Sequence, residues 1–380
     1  MNDLPFRSAT ELLQAIREKR IGSAELLEVY IERYERLNPR LNAIVATGFE
    51  DARERARQAD QALSKGESCG PLHGLPITIK DCIEVVGMRS TWGTPLLKDY
   101  ISTRNADVVQ PLLGAGAIVF GKTNIPLFAM DTQTFNEVYG QTNNPWDVAR
   151  SPGGSSGGSA AALAAGLTAL EIGSDIGGSI RSPAHFCGVY GHKPSYGIVP
   201  MYGQLPPLER YTIDYAVEMD IVVTGPLARS AEDLDLVMDL VVQPARPQRK
   251  AVRIELPAPR KERLSDYRIG LWLDDPLFPP DTDTGNRLQD MADRLASAGA
   301  KLEEKKPDID FSHCLEVYFA VLTLATLYTM PADEFDQVVQ ASRTLADDDH
   351  SPAAYLARTS TRLHRDWQLL NIERSLMRQK

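Results

Sequence analysis

The sequence predicts an α/β fold with a mainly parallel central sheet and a helical N-terminal layer. Turn-forming residues at 71–76 lead into an apolar strand at 77–79. A helical segment at 108–113 is then followed by a strand-like segment at 117–120. Alternating helices and strands are typical of a parallel sheet covered by helices. Two amphipathic segments near the start predict the helical layer.

This N-terminal layer covers residues 1–66. Its first helix follows the cap candidate Ser23 and ends at Asn38-Pro39. The apolar side chains of that helix recur on one face: Leu26, Leu27, Tyr30, Ile31, Tyr34 and Leu37. A second, more charged helix is predicted at 52–63. The two helices can cover one side of the sheet.

The rest of the chain divides into three further parts of one domain spanning 1–380. Residues 67–242 form the motif-bearing core, which includes a strand at 196–199 and a helix of small residues at 159–165 closed by Gly166. Residues 243–264 are rich in proline and basic side chains, which favours a solvated connector over an anion site. The C-terminal part, 265–380, is mainly helical. Its predicted elements are strands at 267–273 and 300–303, a helix at 285–297, and helices from 311 onward.

Composition excludes several classes of protein. A net charge of −10 argues against binding to nucleic acid or to anionic membranes. The N-terminus has neither the basic start nor the apolar centre of a signal peptide, and no apolar run reaches membrane-spanning length. The cysteines, Cys69, Cys82, Cys187 and Cys314, lack the spacing of a zinc site or a disulfide framework. We expect reduced cysteines and a cytoplasmic protein.

Three motifs stand out. Residues 153–159 (GGSSGGS) and 173–181 (GSDIGGSIR) are serine clusters flanked by glycines, and the strand predicted at 77–79 ends on Lys80. Glycine allows positive φ angles and close approach of a substrate to the backbone. Consecutive N–H groups in such loops can converge on an anion. The motifs therefore predict a site with exposed hydroxyls and an anion-binding turn.

Together these motifs resemble the amidase signature family, over about residues 12–240. The resemblance implies a central mixed, mostly parallel twisted sheet flanked by helices. It implies hydrolysis of amides and some esters by a Ser–cisSer–Lys triad, with neither metal nor cofactor. Proteins that resemble this chain usually continue considerably further, so we expect the C-terminal end to be truncated.

By this resemblance Ser179 is the nucleophile, Ser155 relays its proton and Lys80 is the base. The oxyanion hole would be formed by the N–H groups of Ile176, Gly177, Gly178 and Ser179. One such donor contributes about 3 kcal/mol in the transition state. The family also carries a cis peptide before the relay serine, here Gly154–Ser155.

The triad makes chemical sense only if Lys80 is buried. A lysine with its usual pKa of about 10.4 is a poor base at neutral pH, and desolvation lowers that pKa. A serine hydroxyl can relay the proton because it both donates and accepts hydrogen bonds. Taken singly, however, Lys80 is typical of a surface lysine, and Ser155 and Ser179 are typical of turn or cap serines. Only the joint pattern favours catalysis.

Other residues near the motifs receive supporting roles. We expect Asp175 and Arg181 to form a structural ion pair that shapes their loop, and Ser156 to bond near Lys80. His73, His185 and His192 are interpreted as structural, because no metal-ligand spacing accompanies them. Phe128, Ala129 and Met130 are candidates for an apolar acyl pocket, although plain core packing explains them about as well.

The main functional prediction is a free-standing amidase that acts on linear C–N bonds other than peptide bonds. Its substrate would be a small carboxamide, anilide, ester or carbamate. One alternative is the transamidation subunit of a tRNA-dependent amidotransferase, although the run at 205–211 argues against it. A catalytically silent binding protein is another. Residues 153–157 also fit the GxSxG elbow of α/β-hydrolases, but no apolar strand precedes them. A homodimer is left open.

Overall fold

The computed structural model describes residues 3–67, 70–206, 219–327, 330–346, 348–349 and 351–379. The chain divides into two compact units, Met1–Glu255 and Leu256–Lys380. The single domain across 1–380 stays a prediction.

The predicted helical layer is confirmed by α1 (Ala9–Arg17), α2 (Ser23–Leu41) and α3 (Phe49–Ser64). The predicted ends of α2 were wrong. Gly22 is the N-cap, and the Asp60 carboxylate of α3 accepts the N–H of Ser23 at 2.6 Å, so the cap comes from a neighbouring helix. The helix runs through Pro39 and stops where Asn42 adopts the left-handed conformation.

The first unit contains a mixed sheet, as predicted. Its strands are β1 (Ile44–Thr47), β2 (Pro76–Lys80), β3 (Ile118–Thr123), β4 (Phe135–Asn136), β5 (Gly140–Gln141), β6 (Leu170–Asp175), β7 (Tyr190–Gly191) and β8 (Val223–Ala228). Among the described residues six of them pair in the order β1-β3-β2-β6-β8-β7, while β4 and β5 form a separate hairpin. Strands β3, β2 and β6 are parallel neighbours, and the other pairs are antiparallel. The strands β3, β2, β6 and β7 therefore point the same way.

Helices flank this sheet: α4 (Val109–Gly114), α5 (Gly157–Ala164), α6 (Arg181–Cys187) and α7 (Ala231–Val241). Helix α5, predicted from its small residues, is buried from Gly157 to Leu163. The strand predicted at 196–199 was wrong, because this segment forms turns around Gly197, whose φ is +83°. Within the described part of the chain, no helix combines the length and apolarity needed to cross a membrane.

The second unit holds a parallel pair of strands, β9 (Arg268–Leu271) and β10 (Lys301–Glu304), joined through α8 (Thr282–Ser297). These elements confirm the predicted strand, helix and strand to within a few residues. The helical C-terminal part is also confirmed, as α9 (Phe311–Thr326), α10 (Ala332–Ser342), α11 (Pro352–Ser360) and α12 (His364–Met377).

Part of the predicted connector is not simply solvated. Arg246 and Arg249 each donate to the buried carboxylate of Asp107 at 2.6 Å. The Arg246 guanidinium also lies 3.4 Å from the centre of the Tyr202 ring. Because Asp107 is far away in the sequence, composition alone could not show that these arginines have partners. The contacts fasten the start of the connector to the first unit.

A buried carboxylate joins the N-terminal layer to the end of the same unit. Asp233 of α7 accepts the backbone N–H groups of Ala9 and Thr10, each at 2.8 Å, and the Thr10 hydroxyl at 2.7 Å. These N–H groups lie at the start of α1, which has no earlier carbonyls to accept them. Asp233 thus completes the cap of α1.

We expect Asp233→Ala to lower the free energy of unfolding by about 3 kcal/mol, because buried donors lose their acceptor. Urea denaturation would measure the change. Asp235→Ala, on an exposed position of α7, is the control and should unfold like the wild type. Equal stability of the two variants would contradict a capping role for Asp233.

Candidate active site

The predicted lysine and the first serine cluster meet at the carboxyl end of β2. The Nζ of Lys80 donates to the Oγ of Ser155 at 2.7 Å and to the Oγ of Ser174 at 3.0 Å. Ser155 lies in the loop before α5, and Ser174 lies in β6, the neighbour of β2. Parallel neighbours bring the ends of β2 and β6 to one edge of the sheet, which assembles residues from distant motifs.

Ser179 belongs to the same assembly through its backbone. Its carbonyl accepts the N–H of Ser156 at 3.1 Å. Ser156 also donates from its Oγ to the Ser174 carbonyl at 3.4 Å, so this serine lies beside the Lys80 contacts, as expected. Ser155 and Ser179 are both buried, so the prediction that the motifs carry exposed serines was wrong for these two residues. The two serine clusters therefore form one continuous structure around the end of β2.

Lys80 is fully buried, since every residue of β2 is buried between β3 and β6. This burial lowers the pKa of its ammonium, and the nearby Cys82, Asp175 and Glu171 oppose the shift only in part. A lysine with a lowered pKa is a stronger candidate for a base at neutral pH. The bond to Ser155 would give such a base a direct partner for proton transfer.

The loop before α5 has the expected cis peptide bond between Gly154 and Ser155. A side chain at Gly154 would collide with the backbone, because a Cβ there would lie 2.6 Å from the Asp131 carbonyl and 2.7 Å from the Gln133 nitrogen. Glycine at 154 thus lets the segment 131–133 pack directly against the loop that carries Ser155.

Asp175 organises the turn that carries Ser179. Its carboxylate accepts the N–H groups of Gly178 and Ile180, each at 2.9 Å, and forms an ion pair with Arg181 at 2.9 Å. Burial acts to raise the pKa of Asp175, but the hydrogen bonds from Arg181, Ile180 and Gly178 outweigh it and hold the pKa below its ordinary value. The ion pair has the loop-shaping geometry predicted for it.

The hydrogen bonds of this turn distinguish among the four N–H groups that are predicted to form the oxyanion hole. The Gly178 N–H already donates to Asp175. Among the described residues, the N–H groups of Gly177 and Ser179 have no intramolecular hydrogen-bond acceptor. Gly177 and Ser179 are therefore the stronger candidates, with Ile176 next to them in the same turn. The donor roles themselves stay predictions.

The predicted substrate residues lie near the Ser155 loop. Phe128 and Ala129 are half-buried against the core, and Met130 is exposed. The chain then continues into 131–133, which packs against Gly154. Thr134 further ties the two segments together, because its hydroxyl donates to the Gly153 carbonyl at 2.9 Å. Contact with a substrate stays a prediction.

Sequence reasoning missed three polar residues around Lys80. Ser174 accepts from Lys80, and Lys122 is a second fully buried lysine, whose Nζ donates to the carbonyls of Asp81 and Ile83 at 2.8 Å each. Glu171 is a fully buried carboxyl on β6, in register with Thr78 of β2. For Lys122 and Glu171 the sequence offered a signal, because each is an ionisable residue inside an apolar strand. Such side chains are almost never fully buried without a partner.

Glu171 titrates near neutrality. Burial raises its pKa to about 7, while the hydroxyls of Thr78, Ser159 and Thr123 and the charge of Lys122 limit the rise. A carboxyl with a raised pKa keeps its proton in the folded protein when the unfolded chain has lost it. The contribution of Glu171 to the free energy of unfolding therefore falls as pH rises from 4.5, the ordinary pKa of a glutamate, to about 7, the pKa of Glu171 in the folded protein.

We expect Glu171→Gln to remove this loss. Relative to the wild type, its free energy of unfolding should increase by about 3 kcal/mol between about pH 5 and about pH 8. Chemical denaturation at both pH values measures it. Glu255→Gln, at an exposed position, is the control and should follow the wild type. A constant difference between Glu171→Gln and the wild type would show that Glu171 does not titrate in this range.

Comparison with known proteins defines the class. The profile of the Amidase family matches residues 25–371, and the chain belongs to the amidase signature family. The solved fatty acid amide hydrolase shares its fold, with a TM-score of 0.81 and 23% identity over 99% of this chain and 65% of that chain. A 6-aminohexanoate cyclic dimer hydrolase, solved with its substrate, has a TM-score of 0.74 and 28% identity over 96% of this chain and 74% of its own.

A curated relative carries a more specific name. This glutamyl-tRNA(Gln) amidotransferase subunit of Carboxydothermus hydrogenoformans is 36% identical over 323 residues, which cover 84% of this chain and 64% of that protein. The chain thus spans less than two thirds of the length of this relative. The name supports the predicted alternative, a role in transamidation, more directly than the free-standing amidase. What these comparisons share is the amidase signature family and its fold.

Proposed function

We propose that this protein cleaves a carboxamide through an acyl-enzyme on Ser179. The observation that carries the proposal is the 2.7 Å hydrogen bond between the buried Lys80 Nζ and the Ser155 Oγ. A lysine removed from water and placed on a serine hydroxyl is arranged to exchange a proton with it. The backbone bond between Ser156 and Ser179 supports a nucleophile within the same assembly.

In the first half of the reaction, neutral Lys80 accepts the Ser155 proton while Ser155 accepts the Ser179 proton. The Ser179 Oγ then bonds to the carbonyl carbon, and the N–H groups of Gly177 and Ser179 stabilise the negative oxygen. Collapse of this intermediate breaks the C–N bond. The relay returns the proton to the leaving nitrogen, which departs as ammonia or an amine.

Water completes the cycle by the same route. It gives one proton through Ser155 to Lys80, its oxygen attacks the acyl carbon, and the Ser179 Oγ recovers a proton as the carboxylic acid leaves. An ester or carbamate can form the same acyl-enzyme, so the substrate class extends beyond amides. Phe128, Ala129 and Met130 are proposed to contact the acyl group, because their loop adjoins the Ser155 loop.

A glutamine-hydrolysing component of an amidotransferase is the second candidate. The 36% identity to the glutamyl-tRNA(Gln) amidotransferase subunit of Carboxydothermus hydrogenoformans favours it. In this case the ammonia released at Ser179 would be used by a protein partner that carries the tRNA. The run that argues for a free-standing enzyme, 205–211, lies mostly outside the described residues, which exclude 207–218. A homodimer and a silent binding protein stay hypotheses.

Labelling with a fluorophosphonate tests the triad. We expect the adduct to map to Ser179 and to disappear in Ser179→Ala. In Lys80→Ala the labelling rate should fall by about 100-fold or more, since general-base assistance of this size is lost. Ser182→Ala and Lys193→Ala are matched controls outside the Lys80–Ser155 contacts and should label like the wild type. An unlabelled but folded wild type would favour a silent binding protein, and normal labelling of Lys80→Ala would assign the base elsewhere.

The two enzyme candidates differ in the amide that they cleave. The wild type, Ser179→Ala and Ser182→Ala would be assayed for ammonia or amine release from small aliphatic amides, anilides and glutamine. If the chain is a free-standing amidase, we expect Ser179-dependent turnover of simple amides and little turnover of glutamine. Turnover confined to glutamine, and increased by an added partner with its tRNA, would instead establish the amidotransferase candidate.

A further inference from the structure

Three residues outside the triad have an unusual backbone conformation. Trp92, Phe128 and Ala129 have φ angles of 54°, 50° and 58°, in the left-handed region that non-glycine residues rarely occupy. The two loops that contain them meet directly, because the Phe128 N–H donates to the Trp92 carbonyl at 2.8 Å. Such conformations persist where the surrounding contacts force them, and they cluster at functional sites.

Asp81 supplies hydrogen bonds that hold the Trp92 backbone in this left-handed conformation. Its Oδ2 accepts the Trp92 N–H at 2.7 Å and the Thr91 hydroxyl at 3.2 Å. Asp81 is fully buried, and its own carbonyl accepts the Lys122 Nζ at 2.8 Å and the Ser90 hydroxyl at 2.7 Å. Hydrogen bonds hold both the backbone and the side chain of Asp81, so its carboxylate is a rigid support for the Trp92 backbone.

These contacts connect the end of β2 to the far side of the site. Asp81 follows Lys80 in the chain, and its carboxylate holds Trp92, whose carbonyl holds Phe128. From Phe128 the chain runs through Met130 to the segment 131–133, which packs against Gly154 next to Ser155. A single path of backbone and hydrogen bonds therefore leads from the proposed base to the proposed relay. It passes through residues 126–130, here called the acyl loop because they include the proposed acyl contacts Phe128, Ala129 and Met130.

We propose that Asp81 is a positioning residue that sets the shape of the acyl pocket. Its carboxylate holds Trp92, and through Trp92 it holds residues 126–130 in the conformation that meets the acyl group. The assignment of 126–130 as the acyl loop rests on the proposed function. The hydrogen bonds that support this loop are independent of the proposed function. Removing the carboxylate should alter the choice between acyl groups more than the reactivity of Ser179.

Hydrogen–deuterium exchange tests the support without any turnover. Asp81→Ala is expected to speed exchange of the Phe128 amide by about tenfold or more, because opening of the loop becomes easier. Asp81→Asn keeps an acceptor oxygen for the Trp92 N–H and should restore slow exchange. Unchanged exchange in Asp81→Ala would overturn the proposal. If that variant does not fold, Thr91→Val, which removes one donor to Asp81, should give the same effect at smaller size, and its absence counts equally against the proposal.

Nitrophenyl esters with acyl groups from acetyl to octanoyl would measure the choice between acyl groups. Labelling with the fluorophosphonate would measure the reactivity of Ser179. In Asp81→Ala we expect labelling of Ser179 within about fivefold of the wild type and a change of about tenfold or more in the ratio of kcat/KM between long and short acyl groups. Asp81→Asn should retain most of the wild-type ratio. An equal loss for every acyl group and for labelling would show that Asp81 acts on Lys80 instead. Failure of the wild type to react with any probe refutes the proposed function, whereas the exchange result still decides the support by Asp81.

Discussion

The burial of one lysine shapes the site in this protein. Water would solvate the ammonium of an exposed lysine, whereas the interior offers Lys80 only the oxygens that the fold places around it. Those oxygens come from Ser155 and Ser174, at 2.7 Å and 3.0 Å. The chain must therefore bring the loop before α5 and the end of β6 onto the last residue of β2. The same desolvation lowers the pKa of Lys80, so the packing requirement and the lowered pKa have one physical cause.

This close packing explains two of the glycines in the motifs. At Gly154 a Cβ would lie 2.6 Å from the Asp131 carbonyl, and at Gly173 it would lie 2.8 Å from the Ser156 Oγ. Any side chain at these positions would push the serine loop away from the sheet and lengthen the contact between Ser155 and Lys80. The glycines therefore serve close approach between backbone segments at these two positions.

Family membership defines the class of this protein but not its substrate. The polar groups around Lys80, Ser155 and Ser179 all belong to the first unit. The proteins that resemble this chain include a fatty acid amide hydrolase and a component of an amidotransferase, and the chain covers 65% of the first and 64% of the second. These proteins have different names, so family membership alone does not define which amide this chain would act on.

The sequence by itself determined the α/β class and the helical layer, because the periodicity of apolar side chains carries them. It also determined the Asp175–Arg181 ion pair, because both residues lie in one short motif. The proximity of Lys80 to Ser155 was implied by the resemblance to the amidase signature family. Only the tertiary structure decided the contacts made across long separations. It joined Asp233 to the start of α1, Asp107 to Arg246 and Arg249, and Lys122 to the carbonyl of Asp81. It also placed Glu171 in the core with a pKa of about 7. Local patterns report which residues can pair, whereas burial and partner depend on which segments the folded chain brings together.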